Sequence, residues 1–69
     1  MAEQMLKDKD YDLISVIYNA FQAAEICSQY MQDADMEGDT EARQFFDQVR
    51  RNNMDLVQRG KNLLKSRLQ

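Results

Sequence analysis

The apolar residues in the first half of the chain recur at alternating intervals of four and three positions. Their stripe consists of Leu13, Ile17, Ala20, Ala24, Cys27, Met31 and Ala34. This heptad spacing is typical of a helix that packs along its length against another helix. It predicts a first helix from about residue 9 to residue 37. The acidic segment DKDYD at its beginning suits the positive end of a helix dipole.

A second apolar stripe predicts a second helix from about residue 40 to residue 67. This stripe consists of Ala42, Phe45 or Phe46, Val49, Asn52 or Asn53, Leu56, Gly60 and Leu63. No segment alternates apolar and polar residues in the manner of a half-buried strand. The sequence therefore predicts an all-α protein with a single domain over residues 1–69.

The segment MEGDTEA separates the two stripes and predicts a tight turn at residues 38–39. Gly38 can take the left-handed conformation that ends a helix. Asp39 or Thr40 can then cap the second helix, with Glu41 favourably placed in its first turn. Because so short a turn makes consecutive helices antiparallel neighbours, the expected fold is a two-helix hairpin.

Counting outwards from the turn gives the layers in which the two stripes should meet. The expected pairs are Ala34 with Ala42, Met31 with Phe45 or Phe46, Cys27 with Val49, Ala20 with Leu56, Ile17 with Gly60, and Leu13 with Leu63. Asn52 and Asn53 fall in the layer of the small residues Ala23 and Ala24, close to Glu25.

Two adjacent amides are unusual on an apolar stripe, and two interpretations stay open. An Asn in a helical seam can fix register and oligomeric state at some cost in stability. A buried amide must have hydrogen-bond partners, which Glu25 or Asn53 of a second chain can supply. In the other interpretation, one or both of Asn52 and Asn53 face solvent at the edge of the assembly.

Further apolar residues flank both stripes and make each apolar arc wider than one helix-helix interface requires. Ile14, Tyr18 and Phe21 flank the first stripe, and Val57, Leu64 and Leu68 flank the second. In a lone hairpin these residues would be left in water, and such a patch usually marks an interaction surface. We therefore expect a homodimer that forms a four-helix bundle, although another protein could replace the second copy. The expected interface residues are Ile14, Tyr18, Phe21, Asn53, Val57 and Leu64.

Charge is distributed unevenly along the 69 residues. Residues 1–38 contain eight acidic and two basic side chains, a net charge of −6, and residues 39–69 contain four acidic and seven basic ones, a net charge of +3. The acidic first half and the basic second half attract each other, and pairing of either half with its own copy is disfavoured. With a pI near 4.7, the chain is not expected to bind nucleic acid.

Composition removes several further classes of function. The chain has no run near the roughly 18 apolar residues of a membrane span, so no membrane association is expected. The single cysteine, Cys27, belongs to the core stripe and suggests a reducing compartment, which favours a cytoplasmic protein. Histidine is absent, and neither an activated nucleophile nor a phosphate-binding loop is evident. We therefore expect no enzymatic activity and no cofactor.

The acidic segment DADMEGDTEARQ, residues 33–44, is similar to the calcium-binding loop of EF-hand proteins. Asp33, Asp35 and Gly38 fall on its first, third and sixth positions. Gln44 stands at the twelfth position, where calcium requires a bidentate glutamate. The heptad stripe also continues through Ala34, which favours a helix end and an acidic turn over a calcium loop.

The segment EICSQYMQDADMEGDTEARQFF and its surroundings, about residues 11–66, resemble a half-length ferritin-like hairpin of the kind that dimerises into a four-helix bundle. The opening DKDYDLISVIYNAFQAAE is also similar to short bacterial helical proteins of unknown function. The resemblance implies the hairpin fold and the dimer. In ferritin-like metal sites one helix gives a Glu, which Glu25 matches, and another gives Glu-x-x-His. That motif falls near Asn52 and Asp55, where no histidine is present.

The function expected from these observations is a non-catalytic, self-associating module for protein-protein interaction or regulation. The alternative is a ferritin-like bundle that binds a metal ion or small ligand weakly through Glu25, Asn52 and Asp55, doubled by symmetry. Oxygen ligands of this type suit hard cations, whereas transition metals favour imidazole.

Overall fold

Two antiparallel α-helices make up almost all of residues 8–68, the part of the chain that the computed structural model describes. Helix α1 spans Asp8–Met36 and helix α2 spans Thr40–Arg67, and there is no β-strand between residues 8 and 68. The all-α hairpin predicted from the sequence is confirmed. Residues 1–7 and 69, which the predicted domain includes, lie outside the described residues.

The hairpin is long and thin, measuring 51 × 23 × 11 Å. Its radius of gyration is 15.8 Å, against about 11 Å for a compact domain of this length. Its smallest dimension is close to the diameter of a single helix. Each helix therefore has one neighbour, and each keeps two flanks and its outer side open to solvent.

The turn is closed by local hydrogen bonds. Gly38 has a φ of 70°, the left-handed conformation that the sequence predicted. The N–H of Asp39 donates to the carbonyl of Ala34 at 2.9 Å, and the N–H of Gly38 donates to that of Asp35 at 3.1 Å, as in a Schellman motif. Of the two predicted caps, Asp39 is the one observed, because its carboxylate accepts from the N–H of Ala42 at 3.0 Å.

The buried stripe of α1 is the one predicted. Ala20, Ala24, Cys27 and Ala34 are each at most 7% exposed, and the larger residues of the stripe, Leu13, Ile17 and Met31, are half-buried. Small buried side chains allow the two helices to approach closely. They also supply little apolar area, and none of the large side chains in residues 9–68 is fully buried.

The buried stripe of α2 differs from the prediction in the half of the helix that lies away from the turn. Val57 is 7% exposed and Leu64 is half-buried, whereas Leu56 and Leu63 are each 46% exposed. The placement of Leu56 and Leu63 on the buried stripe and of Val57 on a flanking stripe is therefore wrong. Buried or half-buried positions recur here at 11-residue intervals, as in Phe46 to Val57, Val49 to Gly60 and Asn53 to Leu64.

The helical repeat explains this shift. A strict seven-residue pattern drifts by about 20° per heptad around a straight helix, whereas an 11-residue pattern corresponds to 3.67 residues per turn. Over the length of α2 the drift moves Leu56 and Leu63 out of the seam and brings Val57 and Leu64 into it.

The two helices are in close contact at Gly60. A Cβ atom added to Gly60 would lie 2.6 Å from Cγ1 and 3.2 Å from Cδ1 of Ile17. The predicted pairing of these two residues is confirmed. Because no larger residue fits here without displacement, this contact holds the register of the half of the hairpin that lies away from the turn.

Candidate functional site

An apolar depression lies between the helices, away from the turn, and we call it the open-end groove. Its volume is about 430 Å³. It is lined by Ile14, Ile17, Tyr18 and Phe21 of α1 and by Met54, Val57, Gln58, Lys61 and Leu64 of α2. Residues 14, 18 and 21 share one side of α1 because the intervals of four and three match the helical repeat. Among residues 8–68, Lys61 is the only charged residue of the lining.

Large apolar side chains at the groove remain in contact with solvent. Tyr18 is 62% exposed, and Ile14 and Phe21 are each 42% exposed. Val57 is buried, and Ile17 and Leu64 are half-buried. The groove therefore combines residues that already stabilise the hairpin with residues whose apolar surface is covered only in part.

Five of the six residues predicted to form an interface line this one groove. They are Ile14, Tyr18, Phe21, Val57 and Leu64. The sixth, Asn53, is half-buried on the seam, and its side-chain N–H donates to the carbonyl of Val49 at 2.9 Å. This bond satisfies the amide within its own helix.

Asn52 faces solvent, as one of the two interpretations of the amide pair expected. It is exposed, and its side-chain oxygen accepts from Nε2 of Gln48 at 2.9 Å. Asn52 and Asn53 thus lie in different environments although they are adjacent in sequence. Only Asn53 occupies a seam position.

Towards the turn the same face of the hairpin becomes charged, and we call this region the turn-end charged patch. Its members are Glu25, Asp35, Arg43, Asp47 and Arg50. Met54 joins the two regions, because it lines both the open-end groove and a hollow of about 130 Å³ formed with Glu25, Ser28 and Arg50. Arg43 precedes Arg50, and Asp35 follows Ser28, by two helical turns, so both continue the same side of their helices.

Ion pairs hold most of the turn-end charged patch in place. Nη2 of Arg50 lies 2.8 Å from one carboxylate oxygen of Asp47, and Nη2 of Arg51 lies 3.1 Å from the other. Nε of Arg43 lies 3.0 Å from Asp35 and links α2 to α1. Glu25 forms no ion pair with any residue between 8 and 68.

The hydrogen bond from Arg50 holds the pKa of Asp47 below its ordinary value of 3.8. Burial opposes this effect, and the charges of Arg51, Arg50 and Arg43 add to it. Asp47 is therefore ionised at neutral pH. The region carries charges of both signs.

Glu25, Asn52 and Asp55, the residues of the alternative metal site, lie in three separate environments. Asn52 bonds to Gln48, and Asp55 lies 3.6 Å from Arg59. Glu25 lines the small hollow beside Arg50. Within residues 8–68, no three acidic, cysteine or histidine side chains gather into a group that could hold a metal ion.

The segment similar to an EF-hand loop is helical at both ends. Residues 33–36 belong to α1, and residues 40–44 belong to α2. Asp35 pairs with Arg43 and Asp39 caps α2, so these two carboxylates serve the hairpin itself. The predicted helix end and acidic turn are confirmed.

A second apolar surface was not anticipated from the sequence. Its large, exposed residues, which we call the outer apolar strip, are Val16, Ile26, Tyr30, Phe45, Leu56 and Leu63. Val16 and Tyr30 each precede a seam residue, whereas Ile14 and Phe21 each follow one, which places them on opposite flanks of α1. At the turn end the rings of Tyr30 and Phe46 lie 5.5 Å apart, centroid to centroid. The seven-residue spacing of Val16, Ala23 and Tyr30 was the available signal.

Neither helix, over residues 8–67, is long and apolar enough to cross a membrane. Cys27 is buried on the seam with a free thiol, as the heptad stripe predicted. The thiol thus packs as a small apolar group.

The chain matches no known protein family, and comparison with curated proteins and with solved structures finds no match. The ferritin-like resemblance therefore stays a prediction from the sequence pattern.

Proposed function

We propose that this protein is a non-catalytic interaction module that self-associates through the open-end groove to form a four-helix bundle. The observation that carries the proposal is the open-end groove itself, where Ile14, Tyr18 and Phe21 stay at least 42% exposed beside the buried Val57. A second copy would cover these side chains with the same side chains of its own.

The size of the hairpin suits this role. Its broad face measures about 51 by 23 Å, which is larger than the roughly 800 Å² per partner buried in an interface of standard size. Burial of apolar surface contributes about 25 cal/mol per Å², and the internal seam of this hairpin offers few large side chains. Association would therefore supply much of the apolar burial that a single hairpin lacks.

A two-fold dimer is the simplest assembly that achieves this burial. In such a dimer both chains contribute the same surface, so one groove is matched by its own copy. Two hairpins packed face to face form a four-helix bundle. The lone free cysteine fits a reducing compartment, and we propose a cytoplasmic location on this ground.

The test is the molar mass in solution of the wild type and of two matched variants. Phe21 and Ile26 are both 42% exposed and both belong to α1, but only Phe21 lines the open-end groove. By size exclusion with light scattering at micromolar concentrations, we expect the wild type to have twice the 8.1 kDa mass of one chain. Phe21→Glu should reduce the mass to that of one chain, and Ile26→Glu should leave the dimer intact.

Two other results would contradict the proposal. A wild-type mass of 8.1 kDa at every concentration would show that the groove binds no second copy. Dissociation caused by Ile26→Glu but not by Phe21→Glu would place the dimer interface on the outer apolar strip. Circular dichroism of each variant should retain the helical signal, which separates lost association from lost folding.

A further inference from the structure

We infer that the two hairpins of the dimer lie with their turns at the same end, so that α1 of each chain packs against α2 of its partner. This inference rests on the proposed self-association and specifies its geometry. It follows from the distribution of charge between the helices and of apolar residues along them.

Two-fold symmetry leaves two ways to stack a pair of aligned hairpins face to face. If the axis runs along the hairpin, both turns lie at one end, and each helix lies over the other helix of the partner. If the axis runs across the hairpin, the turns lie at opposite ends, and each helix lies over its own copy. The two arrangements therefore bring different residues together.

The charges of the helices favour the first arrangement. Helix α1 contains six acidic residues and one lysine, a net charge of −5. Helix α2 contains three acidic and seven basic residues, a net charge of +4. With turns at the same end, negative helices face positive ones, whereas with turns at opposite ends like charges face each other.

The two regions of the face also favour the arrangement with turns at the same end. Among residues 8–68, the lining of the open-end groove is mostly apolar, with Lys61 as its one charged residue, and the turn-end charged patch lies nearer the turn. With turns at the same end, groove covers groove and charged patch covers charged patch. With turns at opposite ends, the end of the groove at Leu64 would lie against the partner's ionised side chains near Arg43, whose desolvation is unfavourable.

Glu25 gives a local example. Its carboxylate has no ion-pair partner among residues 8–68, and it lines a hollow with Arg50, which bonds to Asp47. The antiparallel contacts of Ile17 with Gly60 and Tyr30 with Phe46 place Glu25 at the height of the segment that follows Arg50. In the arrangement with turns at the same end, that segment of the partner lies opposite Glu25. That segment begins with Arg51, so an opposite charge is then near the height of Glu25.

Distances between spin labels distinguish the two arrangements. Cys27→Ala removes the native thiol, after which Glu37→Cys labels the turn end and, in a second variant, Lys65→Cys labels the open end. Both positions are exposed. With turns at the same end, each homodimer should give a nitroxide-nitroxide distance below about 30 Å, because packed helices are about 8–10 Å apart.

With turns at opposite ends, both variants should give distances of about 40 Å or more, close to the length of a 28-residue helix. That result would overturn the inferred arrangement while leaving the dimer in place. If light scattering shows a single chain and no dipolar coupling is seen, the proposed self-association itself fails. Dilution of each labelled variant with unlabelled Cys27→Ala protein should reduce the coupling and show that it arises within one dimer.

Discussion

The two ends of the hairpin are stabilised in different ways. At the turn end, Gly38 and Asp39 close the helix termini with local hydrogen bonds. The Asp35–Arg43 pair, the one ion pair that joins the helices within residues 8–68, is also found there. At the open end the helices are held by the buried Val57 and by the close contact of Gly60 with Ile17.

This difference separates folding from association. The turn end satisfies the polar groups of its turn and helix cap with partners nearby in the same chain. The open end leaves large apolar side chains exposed on either side of its seam. We therefore expect substitutions at the turn end to change stability alone, and substitutions at the open end to change stability, association or both.

The largest expected effect comes from placing a charge in the seam of the open end. Val57→Asp would bury an unpaired carboxylate at a position that is 7% exposed, and we expect the free energy of unfolding to fall by about 3 kcal/mol or more. Thermal unfolding followed by circular dichroism measures this loss.

The matched control for Val57→Asp is Leu56→Asp, at the neighbouring position that is 46% exposed. Because its carboxylate stays in water, a smaller loss of about 1 kcal/mol is expected, from the lost apolar contact and the lower helix propensity of Asp. Equal losses in the two variants would contradict the assignment of Val57, and not Leu56, to the seam.

The next effect concerns the close contact at Gly60. Gly60→Ala gains about 1 kcal/mol in helix propensity, but its Cβ would lie 2.6 Å from Cγ1 of Ile17. Overpacking of this kind costs about 1–3 kcal/mol, so we expect a net loss of about 1 kcal/mol. Chemical denaturation measures it.

A double-mutant cycle tests the cause of that loss. Ile17→Ala removes the atoms that Gly60→Ala would meet, so the double variant should be more stable than the sum of the two single changes predicts, by about 1 kcal/mol. Strict additivity would mean that the helices separate freely at this point.

A smaller effect is expected at the cap of α2. Asp39→Ala removes the carboxylate that accepts from the N–H of Ala42, and loss of such a cap costs about 1 kcal/mol. Asp39→Asn keeps an acceptor and should retain most of the stability. The molar mass of Asp39→Ala should equal that of the wild type, and a change in association would show that the turn end is not independent of the interface.

The smallest effect is a dependence on pH at the turn-end charged patch. The hydrogen bond from Arg50 lowers the pKa of Asp47 in the folded state below 3.8. The stabilisation is therefore fully present above that ordinary value and is lost as pH falls through the lowered folded-state pKa. Unfolding measured between pH 6 and pH 2 should show a shallower loss of stability for Asp47→Asn than for the wild type. Identical profiles would contradict this contribution.

The sequence was sufficient for α1 and the turn because their signals are local. The stripe from Leu13 to Ala34 keeps a strict heptad of mostly small residues, and the observed buried positions follow it. At the turn, Gly38 and Asp39 have backbone and capping preferences that depend on few neighbours.

The seam of α2 was misplaced for a geometric reason. Leu56 and Leu63 continue the heptad spacing, but a nearly straight helix turns about 20° away from that spacing with every heptad. Both Leu56 and Val57 are apolar, so composition does not distinguish them. Only the path of the helix beside α1 does.

The surface was harder to predict than the seam. Apolar residues flank the seam on both sides. The predicted interface used only residues that follow a seam residue in sequence, such as Ile14 and Phe21, and it missed residues that precede one, such as Val16 and Tyr30. Which flank receives a partner depends on the shape and charge of the whole face. These properties emerge only when the two helices are placed together.

The contact between Ile17 and Gly60 also has a consequence for the order in which the hairpin forms and opens. Asp35 and Arg43 are eight positions apart in the chain, whereas Ile17 and Gly60 close a much longer loop. Short loops close first, and each pair of residues that comes into contact shortens the loop to the next pair. The contacts between the helices should therefore form progressively from the turn towards the open end. The Gly60 contact then forms last, so changes there should alter the rate of unfolding more than that of folding. Amide hydrogens at the open end should accordingly exchange with solvent before those beside the turn.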